Sequence, residues 1–160
     1  MASTATNKQP LLIDRVFHAV VDLAKKTVQP NSGINLAGSN SAALFIDCTG
    51  NDGALIEDIY CYSRGVDYVI NLYINSASDY LRPESGLFIG SFNCGTEYGA
   101  RVEYQGMPRI LAPSPKVGTE ANFRALYVPK GRAIWAAVEQ ANANDTAEQA
   151  PIIGAQGGLY

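Results

Sequence analysis

VDYVINLYIN, residues 66–75, is the stretch that decides the fold class. Apolar side chains stand at every second position from its first residue onward, and most of the residues between them are polar. A period of two is typical of a β-strand, whose side chains point alternately to the two faces of a sheet. The stretch predicts a strand with one face toward a core. The other face, which carries Asp67, Tyr73 and Asn75, is predicted to point toward solvent or a partner.

The same pattern recurs on both sides of this strand. Seven short segments are rich in residues that favour turns: PNSG (30–33), TGNDG (49–53), SRG (63–65), RPESG (82–86), NCG (93–95), QGMP (105–108) and PKG (129–131). Strand-like runs lie between them, at residues 42–47, 55–62, 87–92, 100–104, 123–128 and 133–139, and residues 151–155 predict a last strand. This spacing predicts an all-β, antiparallel β-sandwich of jelly-roll or immunoglobulin-like type, with about eight or nine strands.

Residues 11–28 admit two local structures. Leu12, Val16, Ala19 and Leu23 have the spacing of one face of a helix. The run VFHAVV, residues 16–21, is instead rich in the β-branched residues that favour strands. We predict an extended segment, with a short helix as the alternative.

The chain of 160 residues can bury one core without disulfide bonds. The predicted organisation is an N-terminal arm over residues 1–10 and a single β-sandwich domain over residues 11–160. The end of that domain, GAQGGLY at residues 154–160, is predicted to be an extended C-terminal tail. Pro113 and Pro115 predict a loop over residues 111–119, because proline removes the N–H donors that a sheet needs.

Charge and hydropathy exclude several classes of partner. There are 12 Lys and Arg residues against 15 Asp and Glu residues, and the basic residues are scattered, which argues against direct nucleic-acid binding. The first ten residues, MASTATNKQP, lack the apolar segment of a secretory signal, and no run is long enough for a membrane span. We therefore expect the protein to be made in a reducing cytosol.

The candidates for chemistry are few. His18 is the single histidine, and Asp14 precedes it by four residues, but one such pair favours a structural role over a general base. Three cysteines, Cys48, Cys61 and Cys94, predict buried reduced thiols. Cys94, in a predicted turn, is the candidate to test for reactivity. We expect no catalytic residue, and the sequence predicts a protein that is not an enzyme.

One acidic patch resembles a cation site. It comprises Asp47, Asn51, Asp52, Glu57 and Asp58. Hard cations prefer such oxygen ligands, but TGNDG is explained by a hairpin turn in which glycine adopts positive φ. We therefore expect no metal and no cofactor.

Two segments carry a resemblance to a protein family. ALYVPKGRAIWAAVEQA (residues 125–141) with IIGAQGGLY (residues 152–160), and INLAGSNSAALFIDCTGNDGALIEDIYCYS (residues 34–63), resemble small β-sandwich structural proteins of tailed bacteriophages. The resemblance implies a virion protein, of the capsid decoration (cement) type that clamps major-capsid subunits, often as a homotrimer. A tail, neck or baseplate protein is the alternative within the same resemblance.

The predicted contact elements are the arm, the proline loop and the tail. Their candidate partner-binding residues are Leu11, Leu12, Pro113, Pro115, Leu159 and Tyr160. The expected partner is the major capsid protein or another virion protein. The nine tyrosines also allow a host glycan-binding module, because tyrosine is enriched where proteins meet their ligands.

Overall fold

A computed structural model describes residues 15–23, 27–28, 42–75, 88–107, 125–139 and 149–160. These residues form an all-β fold, with nine strands of three or more residues and one two-residue segment. The strands are β1 (Arg15–Asp22), β2 (Thr27–Val28), β3 (Ala43–Asp47), β4 (Gly53–Tyr62), β5 (Val69–Asn75), β6 (Phe88–Asn93), β7 (Arg101–Glu103), β8 (Leu126–Pro129), β9 (Ala133–Glu139) and β10 (Ile152–Leu159).

The strands make two sheets. Sheet A has the order β1-β10-β4-β7, and β8 also pairs with β4, beside its first residues. In sheet B, β9 lies between β5 on one side and β3 and β2 on the other, and β6 pairs with β5. Every pairing is antiparallel except the two-residue contact between β2 and β9. The predicted antiparallel β-sandwich is confirmed.

The strand order selects the jelly roll from the two predicted sandwich types. The chain alternates between the sheets from β3 to β4 to β5, and from β8 to β9 to β10. As a result, β1-β10-β4-β7 faces β3-β9-β5-β6, which is the arrangement of two interlocked Greek keys. An immunoglobulin-like sandwich distributes its strands differently between its sheets.

The segment TGNDG carries the chain between the sheets and does not close a hairpin, so that prediction is wrong. It joins β3 of sheet B to β4 of sheet A, and PKG runs beside it in the opposite sense. The Cys48 N–H donates to the Arg132 carbonyl at 3.0 Å, and the Gly131 N–H donates to the Cys48 carbonyl at 3.3 Å. The turn residues in the sequence predicted where the chain turns, but not which strands the turn joins.

One hydrophobic core lies between the sheets. Sheet A contributes Ile56, Ile59 and Ile153, and sheet B contributes Ile70, Leu72, Ile134 and Val138, all with no exposed surface. On β4 the alternation shifts by one residue, because the register with β10 moves between Gln156 and Gly157. Glu57 is the extra residue of this β-bulge. It is exposed, and it lies between the buried Ile56 and the half-buried Asp58.

Three local predictions are corrected or decided. Residues 15–22 are a strand, so the helical alternative is wrong there. The last strand does not stop at residue 155 but continues to Leu159 in the interior of sheet A, so the predicted free tail over residues 154–160 is wrong. Tyr73 and Asn75 are buried at 8% and 5% exposure, although the pattern assigned their face to solvent or a partner.

Other predictions fall outside the described residues. These are the arm over residues 1–10, the loop over residues 111–119, Leu11, Leu12, Pro113, Pro115 and Asp14. In the ranges that are described, no helix has the length and apolar character needed to cross a membrane.

Candidate partner-binding surface

The outer face of sheet A points away from the core and carries aromatic, aliphatic and charged side chains. Strand alternation and register place on it Val16, His18, Val20, Leu55, Asp58, Tyr60, Tyr62, Arg101, Glu103, Tyr127, Gly154 and Gln156. These residues come from five strands, and the interior strands β10 and β4 hold the centre of the face in place.

Tyr60 lies at the centre of this face. Its ring leaves β4, crosses the backbone of Gly154 on β10, and brings its hydroxyl into hydrogen-bonding contact with Nε2 of His18 on β1. A side chain at position 154 would collide with the ring, because a Cβ there would lie 2.6 Å from Tyr60 Cε2. Local burial, and then the neighbouring Tyr62, raise the pKa of the Tyr60 phenol.

Arg101 lies over the Tyr60 ring. Its guanidinium carbon lies 4.4 Å from the ring centroid, a cation–π geometry. Nη2 forms an ion pair with Asp58, and Nη1 donates to Glu103 Oε1 at 2.7 Å. Two carboxylates and an aromatic ring therefore hold one guanidinium and set its geometry.

Exposed apolar side chains surround this cluster. Val16 and Val20 on β1 are 78% and 58% exposed, and Tyr62 and Tyr127 are 42% and 50% exposed. Tyr62 packs edge-on against Tyr60, with ring centroids 5.6 Å apart. Protein interfaces are enriched in tyrosine and arginine, and their strongest contacts are residues already fixed by their neighbours. We call His18, Asp58, Tyr60, Arg101 and Glu103 the tyrosine–arginine cluster.

No protein-family model, curated protein or solved structure matches this chain.

The cysteines are placed as predicted, as buried free thiols. Burial raises the pKa of Cys48 to about 11 and that of Cys61 to about 12. Cys94, the candidate for reactivity, has no exposed surface, and burial raises its pKa as well. Its Sγ donates to the Val66 carbonyl at 3.0 Å and accepts from the Tyr68 N–H at 3.1 Å. A buried, hydrogen-bonded thiol of raised pKa is a poor nucleophile.

The acidic patch is dispersed in the structure. Asp47 caps a turn by accepting the Thr49 N–H at 2.8 Å, Asp52 pairs with Lys130 at 2.6 Å, and Asp58 belongs to the tyrosine–arginine cluster. Among the residues whose placement is described, no three His, Cys, Asp or Glu side chains are grouped to hold a metal ion.

Two predicted contact residues lie in described parts of the chain. Leu159 is in the core with 7% exposure. The Tyr160 N–H donates to the Gly53 carbonyl at 3.0 Å, and the Tyr160 carbonyl accepts the Asp52 N–H at 2.7 Å. These residues therefore close the sheet, and they are not anchors at the end of a free tail.

Sequence reasoning missed the tyrosine–arginine cluster. His18, Tyr60 and Arg101 are far apart in the chain, and only the order β1-β10-β4-β7 brings them together. One usable signal was present, since alternation along YCY places Tyr60 and Tyr62 on the same face of a strand.

Proposed function

We propose that this protein is a structural virion protein of a tailed phage. In this proposal it is a capsid decoration protein that binds the major capsid protein through the outer face of sheet A. The resemblance of residues 34–63, 125–141 and 152–160 supports the virion assignment. The jelly roll adds support at the level of fold class, because viral capsid domains are among the proteins that use it.

The observation that carries the proposal is the Arg101–Tyr60 stack inside a rim of exposed apolar side chains. The guanidinium is fixed by Asp58 and Glu103, so little conformational entropy is lost when a partner covers it. Val20 and Tyr62 would lose water on contact, which favours association. In protein interfaces, a few well-packed central residues provide most of the affinity, and the side chains around them exclude water.

Two other functions are compatible with this face: a tail, neck or baseplate protein, and a glycan-binding module. Each has its own test. A tail, neck or baseplate protein would use the same kind of face but would be present in about a dozen copies per particle, against hundreds for a decoration protein on a symmetric shell. The exposed rings of Tyr62 and Tyr127 would also suit a glycan. Quantitative mass spectrometry of purified particles and binding to a glycan array separate these functions.

The main test measures rebinding of the recombinant protein to virus particles stripped of it. Arg101→Ala, at the fixed centre, is expected to weaken binding by about tenfold or more, and Tyr62→Ala, in the rim, is expected to weaken it by less. Phe88→Ala is the matched control, because Phe88 is 54% exposed but lies on β6 of sheet B. If all three variants bound as tightly as the wild type, the docking face would be refuted. Absence of the protein from particles would refute the virion assignment.

The predicted N-terminal arm has its own test. Deletion of residues 1–10 is expected to weaken particle binding if the arm is a contact element. Unchanged binding and particle stability would remove the arm from the proposal and leave the outer face of sheet A as the contact.

A further inference from the structure

Asp52–Gly53 is the one Asp–Gly or Asn–Gly dipeptide in the sequence. An aspartyl side chain before glycine is prone to attack by the following backbone nitrogen, because glycine has no Cβ to shield that nitrogen. The Asp52 side chain is 74% exposed, at the point where the chain enters β4. The dipeptide is therefore a candidate site of spontaneous covalent modification.

The fold requires glycine at position 53. Gly53 has a φ of +132°, which L side chains rarely adopt. A Cβ at this position would also lie 2.7 Å from the carbonyl oxygen of Val128 on β8. A bulkier residue after Asp52 would slow attack by the backbone nitrogen, but packing in sheet A excludes it. The susceptible dipeptide is thus a consequence of the fold.

Lys130, in the turn after β8, holds the carboxylate that would react. Its Nζ donates to Asp52 Oδ1 at 2.6 Å, and this ion pair lowers the pKa of the Asp52 carboxyl. Ring closure needs the protonated carboxyl, because its OH group must leave as water. The ion pair favours the charged carboxylate and therefore reduces the amount of the reactive form.

We propose that Asp52–Gly53 is a site of isoaspartate formation and that Lys130 slows the reaction. The Gly53 nitrogen forms a bond to Asp52 Cγ, and the proton of that nitrogen leaves with the carboxyl OH as water. Water then adds to one of the two carbonyl carbons of the resulting cyclic imide. Cleavage of the bond between the nitrogen and the Asp52 main-chain carbonyl carbon gives isoaspartate, and cleavage of the bond to Cγ restores aspartate. The net reaction is an isomerisation, so it needs no oxidant or other reagent.

The modification acts on the end of β10. The Asp52 N–H donates to the Tyr160 carbonyl at 2.7 Å, and the Tyr160 N–H donates to the Gly53 carbonyl at 3.0 Å. Isoaspartate adds one methylene group to the main chain between the Asp52 N–H and the Gly53 carbonyl, so the spacing of these two hydrogen bonds is lost. The end of β10 is then held less firmly. The reaction does not depend on the proposed function.

The test is prolonged incubation of the full chain at neutral pH, followed by digestion and electron-transfer mass spectrometry, which distinguishes isoaspartate from aspartate. Folded Lys130→Ala is expected to form isoaspartate at residue 52 about two- to fivefold faster than the wild type, because an exposed ion pair favours the carboxylate by about this factor. In urea, where the pair is absent, the two rates should be equal. Lys130→Arg should restore the wild-type rate.

The pH dependence separates protection of the carboxylate from a change in backbone shape. The two folded rates should converge as the pH falls below about 4, where the Asp52 carboxyl is protonated in both proteins. A rate difference that persisted there would show that Lys130 acts through the backbone.

Asp52→Glu is the matched control. It keeps a carboxylate near Lys130, but its ring closure is much slower, so no isomer should be detected at residue 52. If folded Lys130→Ala formed no isoaspartate while the sample in urea did, the site would be overturned. Equal folded rates at neutral pH would overturn the role of Lys130. The purified isoaspartyl form should unfold at a lower urea concentration, and an unchanged midpoint would overturn the effect on β10.

Discussion

At the scale of single residues, Gly154 determines whether the tyrosine–arginine cluster can form. The residue has no positive φ, so backbone conformation does not demand glycine there. The demand comes from Tyr60, whose ring occupies the space that a Cβ would need. A missing side chain on β10 thus lets one ring reach from β4 to His18 on β1.

Gly154→Ala should destabilise the protein by about 1–2 kcal/mol, because the displaced ring loses its contacts with His18 and Arg101. Urea denaturation measures this cost. Gly50→Ala is the control, since a Cβ there meets nothing within 4 Å. In a Tyr60→Ala background the cost of Gly154→Ala should vanish, and an undiminished cost would contradict the assigned clash.

The thiols give a second prediction for single residues. Because burial raises the pKa of Cys48 from 9.0 to about 11, its thiolate fraction at pH 8 should fall about a hundredfold in the folded state. Labelling by a disulfide reagent should therefore be slow in buffer and fast in urea. Rapid labelling of the folded protein would contradict the burial.

The same shift fixes the sign of a pH effect. Between pH 9 and about 11 the unfolded chain releases the Cys48 proton and the folded chain keeps it, so the free energy of unfolding falls as pH rises. Cys48→Ala should reduce that fall, and an equal slope in both proteins would contradict the prediction.

At the scale of elements, β10 is the strand on which sheet A depends. It pairs with β1 along one edge and with β4 along the other. Its glycines permit close approach, since a Cβ on Gly157 would meet the backbone carbonyl of Leu55. A strand in this position cannot leave without separating β1 from the rest of the sheet.

Deletion of residues 154–160 is therefore expected to abolish cooperative unfolding, as measured by near-ultraviolet circular dichroism during heating. Gln156→Ala is the matched control. Gln156 is exposed, and its substitution should be tolerated within about 0.5 kcal/mol. A truncated chain that still melted cooperatively would show that β10 is dispensable.

The elements that could be predicted from sequence are those whose pattern is local. Alternation located β3, β4, β5 and β9, and their starts lie within three residues of the predicted starts. The pattern failed for β10, because a glycine-rich sequence such as GAQGG is typical of a linker. Its glycines are required by the ring of Tyr60 and the carbonyl of Leu55, which the sequence alone does not place beside them. At TGNDG, SRG, NCG and PKG, the turn residues marked where the chain passes from one sheet to the other. They carried no information on strand pairing, so the tyrosine–arginine cluster could not be predicted.

At the scale of the whole molecule, the jelly roll predicts slow folding. Sheet A joins the two ends of the described chain, with Arg15 opposite Leu159, so its pairing requires closure of nearly the whole chain. Folds dominated by such distant pairings reach the native state in milliseconds to seconds. Stopped-flow fluorescence of Trp135, which is the single tryptophan and is 5% exposed, should show this phase on refolding from urea. Prolyl isomerase would identify any slower proline-limited phase, and complete recovery within a millisecond would contradict the strand order.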